Sequence, residues 1–195
     1  MVAPVCQARL VRTTSSREAY RNPWIRVRED VIEHDDGSTG LYGVVERPDF
    51  ALIIPRQDDG VWLVEQYRYP LARRSWEFPQ GTWSPGDAGT AEELARVELA
   101  EETGIRAGTL RRLGRLDLAP GLMTQGFDVW LATDLRAGPT AREATEADMR
   151  SAFVAESQLR AMIADGRFTD SPSLAALSLL LLDREAQRTR PGPIG

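Results

Sequence analysis

The sequence predicts an α/β chain in which a mixed β-sheet is covered by helices on both faces, an α/β/α sandwich, preceded by a β extension. Two observations predict it. Strand-like runs come first, one long helical pattern follows, then more strands, and two helical patterns close the chain. That order suits a mixed sheet covered by helices on both faces. In addition, Ala51–Ile54 and Val61–Val64 read as two short strands joined by a hairpin turn.

The first twenty residues are mixed and are expected to be loose. Arg26–Ile32 alternates imperfectly and reads as a strand, the turn His34–Gly40 follows, and Leu41–Val45 returns as a second strand. This hairpin forms the N-terminal extension. Ala51–Ile54 and Val61–Val64 flank Gln57-Asp-Asp-Gly60, a hairpin signal. A further strand near Ser75–Phe78 stops at Pro79, and Gly81–Gly89 is a glycine-rich loop. Thr90 with Glu93 three residues on fits a capping box, so a helix is predicted over 91–103, with Gly104 as the residue that ends it. Leu110–Leu118 and Phe127–Ala132 are predicted strands on either side of a Pro120 loop. Residues 134–148 read as loop, Met149–Val154 as a strand, Glu156–Ala164 as a helix, and 171 to about 187 as the last helix, with Pro172 in its first turn. The tail is rich in proline and glycine and is expected to be disordered. These boundaries divide the chain into an extension over 1–48, a main domain over 49–188 and a tail over 189–195.

Composition narrows the function. The chain has 195 residues, 42% hydrophobic and 27% charged, and a formal net charge of −5. An acidic balance argues against a general nucleic-acid binder, which needs a basic face. Cys6 is the only cysteine and His34 the only histidine. Disulfides, cysteine-rich zinc sites and histidine-based triads therefore lack material, and carboxylates must carry any acid–base work. No apolar run suits a signal peptide or a membrane span, so no membrane partner and a cytoplasmic location are expected.

The most informative residues are Glu98, Glu101 and Glu102. On the predicted helix they fall at i, i+3 and i+4, within about a 100° arc. They continue the apolar side marked by Leu94 and Ala95, while Glu92, Arg96 and Ala100 project roughly opposite. Like charges at this spacing repel, and acidic residues in a last turn oppose the helix dipole. Breaking two local rules at one place marks a functional site, and a hard divalent cation is the natural compensation.

The segment Gly81–Ile105 resembles the Nudix box, G-x5-E-x7-R-E-U-x-E-E-x-G-U, where U is aliphatic. Gly81, Glu98, Leu99, Glu101, Glu102, Gly104 and Ile105 match; Asp87 stands at the first glutamate, the spacer after it is two residues longer, and Val97 holds the arginine position. Glu65-Gln-Tyr-Arg68, Trp76-Glu-Phe-Pro-Gln-Gly81, and Pro120 fifteen residues past Ile105 resemble the ADP-ribose pyrophosphatase branch. The resemblance implies the Nudix α/β/α sandwich and hydrolysis of a nucleoside diphosphate sugar, ADP-ribose foremost, with Mg²⁺ or Mn²⁺. It implies metal ligation by Glu98, Glu102, Glu101 and the Gln80 backbone carbonyl, catalytic roles for Glu101 and for Glu143 or Glu146 as base, and substrate contacts from Arg68, Trp76 and Pro120. A homodimer with contacts through the extension is also implied. The alternative is a catalytically weak Nudix-like module that binds or senses a nucleotide.

Overall fold

A computed structural model describes residues 11–139 and 148–189. The chain divides into two compact units: one runs up to Pro48 and includes Asp117–Gln125, and the other comprises Asp49–Leu116 and the chain from Gly126 onward.

In the first unit, β1 (Val11–Arg21), β2 (Arg26–His34) and β3 (Thr39–Glu46) form an antiparallel three-stranded sheet in that order. The strand β1 corrects the expectation that residues 1–20 are loose; residues 1–10 lie outside the described part. Every side chain of β1 is exposed, so no alternation of apolar residues betrays it. Pairing with β2 and cross-strand ion pairs hold it instead: Arg12–Glu33 at 2.9 Å, Arg17–Glu29 at 3.0 Å and Arg26–Glu18 at 3.0 Å. His34, expected in a surface loop, is the last residue of β2, and its N–H donates to Ser38 O at 2.9 Å to close the turn.

Carboxylates are central to this sheet. Arg21 and Arg26 hold Glu18 below its usual pKa, and Arg26 with Arg28 does the same for Glu46 against the opposing effect of burial. The Ser16 hydroxyl, then Arg28, lower Asp30. A carboxylate whose folded pKa lies below its unfolded value stabilises the fold above the unfolded value and ceases to do so as pH falls through the folded one. The β1–β2–β3 sheet is therefore expected to loosen below about pH 4. Amide exchange of β2, corrected for the intrinsic pH dependence of exchange, should show protection falling there; constant protection down to pH 2 would refute this.

The second unit is built on β4 (Phe50–Gln57), β5 (Gly60–Arg68), β6 (Arg73–Glu77), β7 (Gln80–Gly81), α1 (Ala91–Thr103), β8 (Ile105–Asp117), β9 (Gly126–Ala137), β10 (Arg150–Ala155), α2 (Glu156–Ala164) and α3 (Ser171–Thr189). A short 3₁₀ turn, Tyr69–Leu71, separates β5 from β6. The sheet order is β10-β5-β4-β9-β8, with β6 paired to β5 and β7 to β4. The sheet is mixed, because β4 runs parallel to β9 and antiparallel to β5. This is the predicted α/β class.

Ala51, Leu52, Ile53 and Ile54 are fully buried, which explains the unbroken apolar run in β4. Ala51 and Ile53 pack with Leu94, Ala95 and Leu99 of α1 and with Ile105, Trp130 and Ala132. Leu52 and Ile54 point to the opposite face. Most strands outrun their predicted limits, β8 and β9 furthest. β8 begins at Ile105 although Arg106, Gly108 and Thr109 are exposed, and β9 continues to Ala137 into the segment read as loop. Both extensions are largely solvated, so they carry no periodic signal.

The loop between β8 and β9 joins the first unit. Val45 N–H donates to Leu122 O at 2.9 Å, Thr124 N–H to Val45 O at 3.1 Å, and the Tyr42 hydroxyl to Gly121 O at 2.9 Å. The chain from 190 onward, where the disordered tail is expected, lies outside the described residues. Among the described residues no helix is long and apolar enough to cross a membrane.

Candidate active site

The capping box at the start of α1 forms as predicted. Thr90 adopts an extended backbone, Glu93 N–H donates to Thr90 Oγ1 at 3.2 Å, and Thr90 N–H donates to Glu93 Oε2 at 2.7 Å. At the other end Gly104 takes φ 73°, a left-handed conformation that favours glycine, and its N–H returns to Ala100 O at 2.9 Å. These two ends set the phase of the helix, and the phase decides where the glutamates point.

Glu98 is 8% exposed and Glu102 1%, whereas Glu101 is half-buried. Glu92 and Arg96 lie on the solvent side, bonded to each other at 2.8 Å. The two buried carboxylates face β7. Gln80 N–H donates to Glu102 Oε2 at 3.1 Å. A Cβ on Gly81 would fall on the Glu98 carboxylate, so glycine is what lets that group lie against the strand. Pro79 places this pair of residues: it ends the strand direction of β6, and its carbonyl accepts from Ile53 N–H at 2.9 Å, bringing Gln80 and Gly81 alongside β4.

Two further carboxylates join the cluster. Glu77, 1% exposed, receives a forked pair of hydrogen bonds from Arg68: Nε reaches its two oxygens at 2.9 and 3.1 Å, and Nη2 also bonds Oε2. Asp170 accepts from Ser173 N–H at 3.0 Å, the geometry of an N-cap on α3. The Gln80 amide nitrogen bridges both acids, at 2.8 Å to Glu77 and 3.4 Å to Asp170. Burial opposes the charge on Arg68, but the Glu77 hydrogen bonds, reinforced by Glu102 and Asp170, raise its pKa above the usual value. Burial, with Glu77 adding, raises the Asp170 carboxyl against the lowering effect of Ser173.

The structure thus brings together Arg68, Gln80, Glu98 and Glu102 from among the residues singled out by sequence, with Glu101 on the same helical turn. Trp76 precedes Glu77 in β6 and therefore points to the other face of that strand. Pro120 lies in the first unit. Glu143 and Glu146 lie outside the described residues. Asp87 sits in the exposed loop, its N–H on Ser84 O at 2.9 Å. Among the described residues no group of three or more His, Cys, Asp or Glu side chains is arranged to hold a metal by itself.

Sequence reasoning passed over Glu77 and Asp170. An acid between Trp76 and Phe78 reads as the wet side of a strand, and only its pairing with Arg68 shows otherwise. Asp170 did carry a signal, because Asp-Ser-Pro is a helix-start pattern.

Residues 46–177, well over half of the chain, match the NUDIX domain. The chain belongs to the Nudix family. It is a Nudix pyrophosphohydrolase related to the ADP-ribose pyrophosphatases, as the resemblance of the box implied. Residues 11–45 match the nucleoside diphosphate sugar hydrolase N-terminal domain. The ADP-ribose pyrophosphatase of Mycobacterium tuberculosis (strain ATCC 25618 / H37Rv) is 32% identical over 168 residues, covering 85% of this chain and 80% of the relative. That of Bacillus subtilis (strain 168) is 27% identical over 136 residues, covering 69% of this chain and 72% of the relative. A solved structure of an ADP compounds hydrolase superposes with a TM-score of 0.82 at 21% identity, over 94% of this chain and 98% of that one, and shares the Nudix fold. Nudix hydrolases generally use divalent metal ions.

Proposed function

We propose that this chain hydrolyses the pyrophosphate bond of a nucleoside diphosphate sugar, ADP-ribose foremost, releasing AMP and ribose 5-phosphate. The observation that carries the reading is the burial of Glu98 and Glu102 against Gln80 and Gly81. Relatives named ADP-ribose pyrophosphatases support the substrate class.

The donor set fits a hard cation. Two buried carboxylates supply oxygens, and Gln80 Oε1 is buried without a hydrogen-bond partner. An ion such as Mg²⁺ takes few protein ligands and completes its shell with water and phosphate. Glu98 and Glu102 would hold it, with Glu101 sharing and the Gln80 backbone carbonyl adding an oxygen. A bound Mg²⁺ or Mn²⁺ supplies neutralisation of phosphate oxygens and a lowered pKa for the attacking water. Arg68 spends Nε and Nη2 on Glu77, which fixes the guanidinium plane; Nη1 would then meet a phosphate oxygen. Trp76, on the other face of β6, would touch a different part of the substrate, and Pro120 would shape a substrate loop, as the resemblance implies. Glu143 or Glu146 would accept the proton of the attacking water. The reading includes a cytoplasmic homodimer with contacts through the three-stranded sheet; a monomeric mass in solution would remove the dimer.

The direct test is AMP formation from ADP-ribose with Mg²⁺ or Mn²⁺ and with chelator. Release that stops with chelator is expected; no release from any nucleotide sugar would defeat the proposal. Gly81→Ala should push the Glu98 carboxylate from its place and lower kcat/KM by about 10- to 100-fold, with the unfolding midpoint nearly unchanged. Unaltered kcat/KM would show that the Glu98 position is not critical.

One observation favours a second reading, the nucleotide sensor. Arg96 cannot serve the position held by Val97, because it is turned to Glu92 and to the Ala107 carbonyl, at 3.2 Å. Thermal stabilisation by ADP-ribose without turnover would select the sensor.

A further inference from the structure

The geometry points to Trp83 as a positioning residue that sets the seat of the two buried glutamates by clamping the loop before α1. This inference rests on the cation reading of Glu98 and Glu102. Those carboxylates sit between β7 and the last turns of α1, so their placement depends on how α1 lies over β7. The connecting loop, 82–90, is exposed along most of its length, and the spacer from Asp87 into α1 is two residues longer than the box spacing. An unanchored loop of this kind would leave α1 free to slide.

Trp83 prevents that. It leaves the end of β7 and packs partly buried against the cluster that contains Leu94, Ala95 and Leu99. Its ring also lies on Gly89: a Cβ there would come within 2.6 Å of Trp83 Cζ2 and 3.1 Å of Glu93 Oε2. Glu93 Oε2 in turn accepts from the Thr90 N–H and, at 2.8 Å, from the Thr90 hydroxyl. On the strand side, the Thr82 hydroxyl donates to Asp49 O at 2.8 Å. The two ends of the loop are thereby tied to each other, to the residue that precedes β4 and to the face of α1. Gly89 has no left-handed backbone to explain it; the close ring contact does. Arg96, the only arginine of α1, is engaged with Glu92 and Ala107 and takes no part in this tie.

The test uses the full chain and two readouts that need no turnover: Mn²⁺ affinity by calorimetry, and amide exchange at Gln80, whose N–H bonds Glu102. Trp83→Ala and Gly89→Ala are expected to weaken Mn²⁺ binding about tenfold and to speed Gln80 exchange by a similar factor. Trp83→Phe should restore most of both. Leu159→Ala, a core truncation in α2, should lower the unfolding midpoint and leave both readouts native. A Trp83→Ala protein that is less stable but binds Mn²⁺ and protects Gln80 like the parent would overturn the proposal. If Trp83→Ala does not fold, Gly89→Ala decides the matter. If the parent itself binds no Mn²⁺, the cation reading fails, and Gln80 exchange alone decides the role of Trp83.

Discussion

Glu102→Gln is expected to reduce AMP release from ADP-ribose by at least about 100-fold while leaving the fold intact. The size follows from the proposed role: losing a charged ligand of the cation removes about 3 kcal/mol of transition-state stabilisation. The fold should survive because glutamine has the same shape, and its amide oxygen can still accept the Gln80 N–H that now reaches Glu102 Oε2 at 3.1 Å. At 1% exposure the neutral side chain is also cheaper to bury than the carboxylate. Activity, Mn²⁺ affinity and unfolding midpoint should therefore separate: the first two fall, and the third holds or rises. Parent-like activity in this variant would remove Glu102 from the chemistry. Equal losses in all three would make it a structural residue.

Arg68→Met is expected to destabilise the second unit by about 2 kcal/mol. Removing one partner of a buried pair usually costs about 3–5 kcal/mol, because the other charge is left without compensation. Glu77 is 1% exposed, but the Arg68 side chain is 39% exposed, so water screens part of the interaction and the smaller figure applies. The Gln80 amide at 2.8 Å remains as a partner but carries no charge. Adding Glu77→Gln to Arg68→Met should recover most of the loss, since the stranded charge is then gone. Denaturant unfolding of the two single variants and the double variant closes the cycle. Strict additivity would show that Arg68 and Glu77 are not coupled. The pair also holds the Gln80 side chain, so both single variants should lower kcat/KM even in molecules that remain folded.

The local part of this protein is written in residues that are neighbours along the chain. The Thr90–Glu93 cap, the Gly104 stop and the spacing of Glu98, Glu101 and Glu102 depend only on helix geometry over neighbouring residues. They were legible for that reason, whereas the complete burial of Ala51–Ile54 came from the strands and helix packed around them. The rest came from contacts between distant parts of the chain. It buried Glu98 and Glu102 and left Glu101 half-exposed, because the seat beside Gly81 is made by another strand. It brought Glu77 and Asp170 together through Gln80, although they lie far apart in the chain. It ordered β1, whose exposed side chains show no pattern until Glu18, Glu29 and Glu33 meet their arginines. Long-range pairing draws its energy from partners that local periodicity does not name.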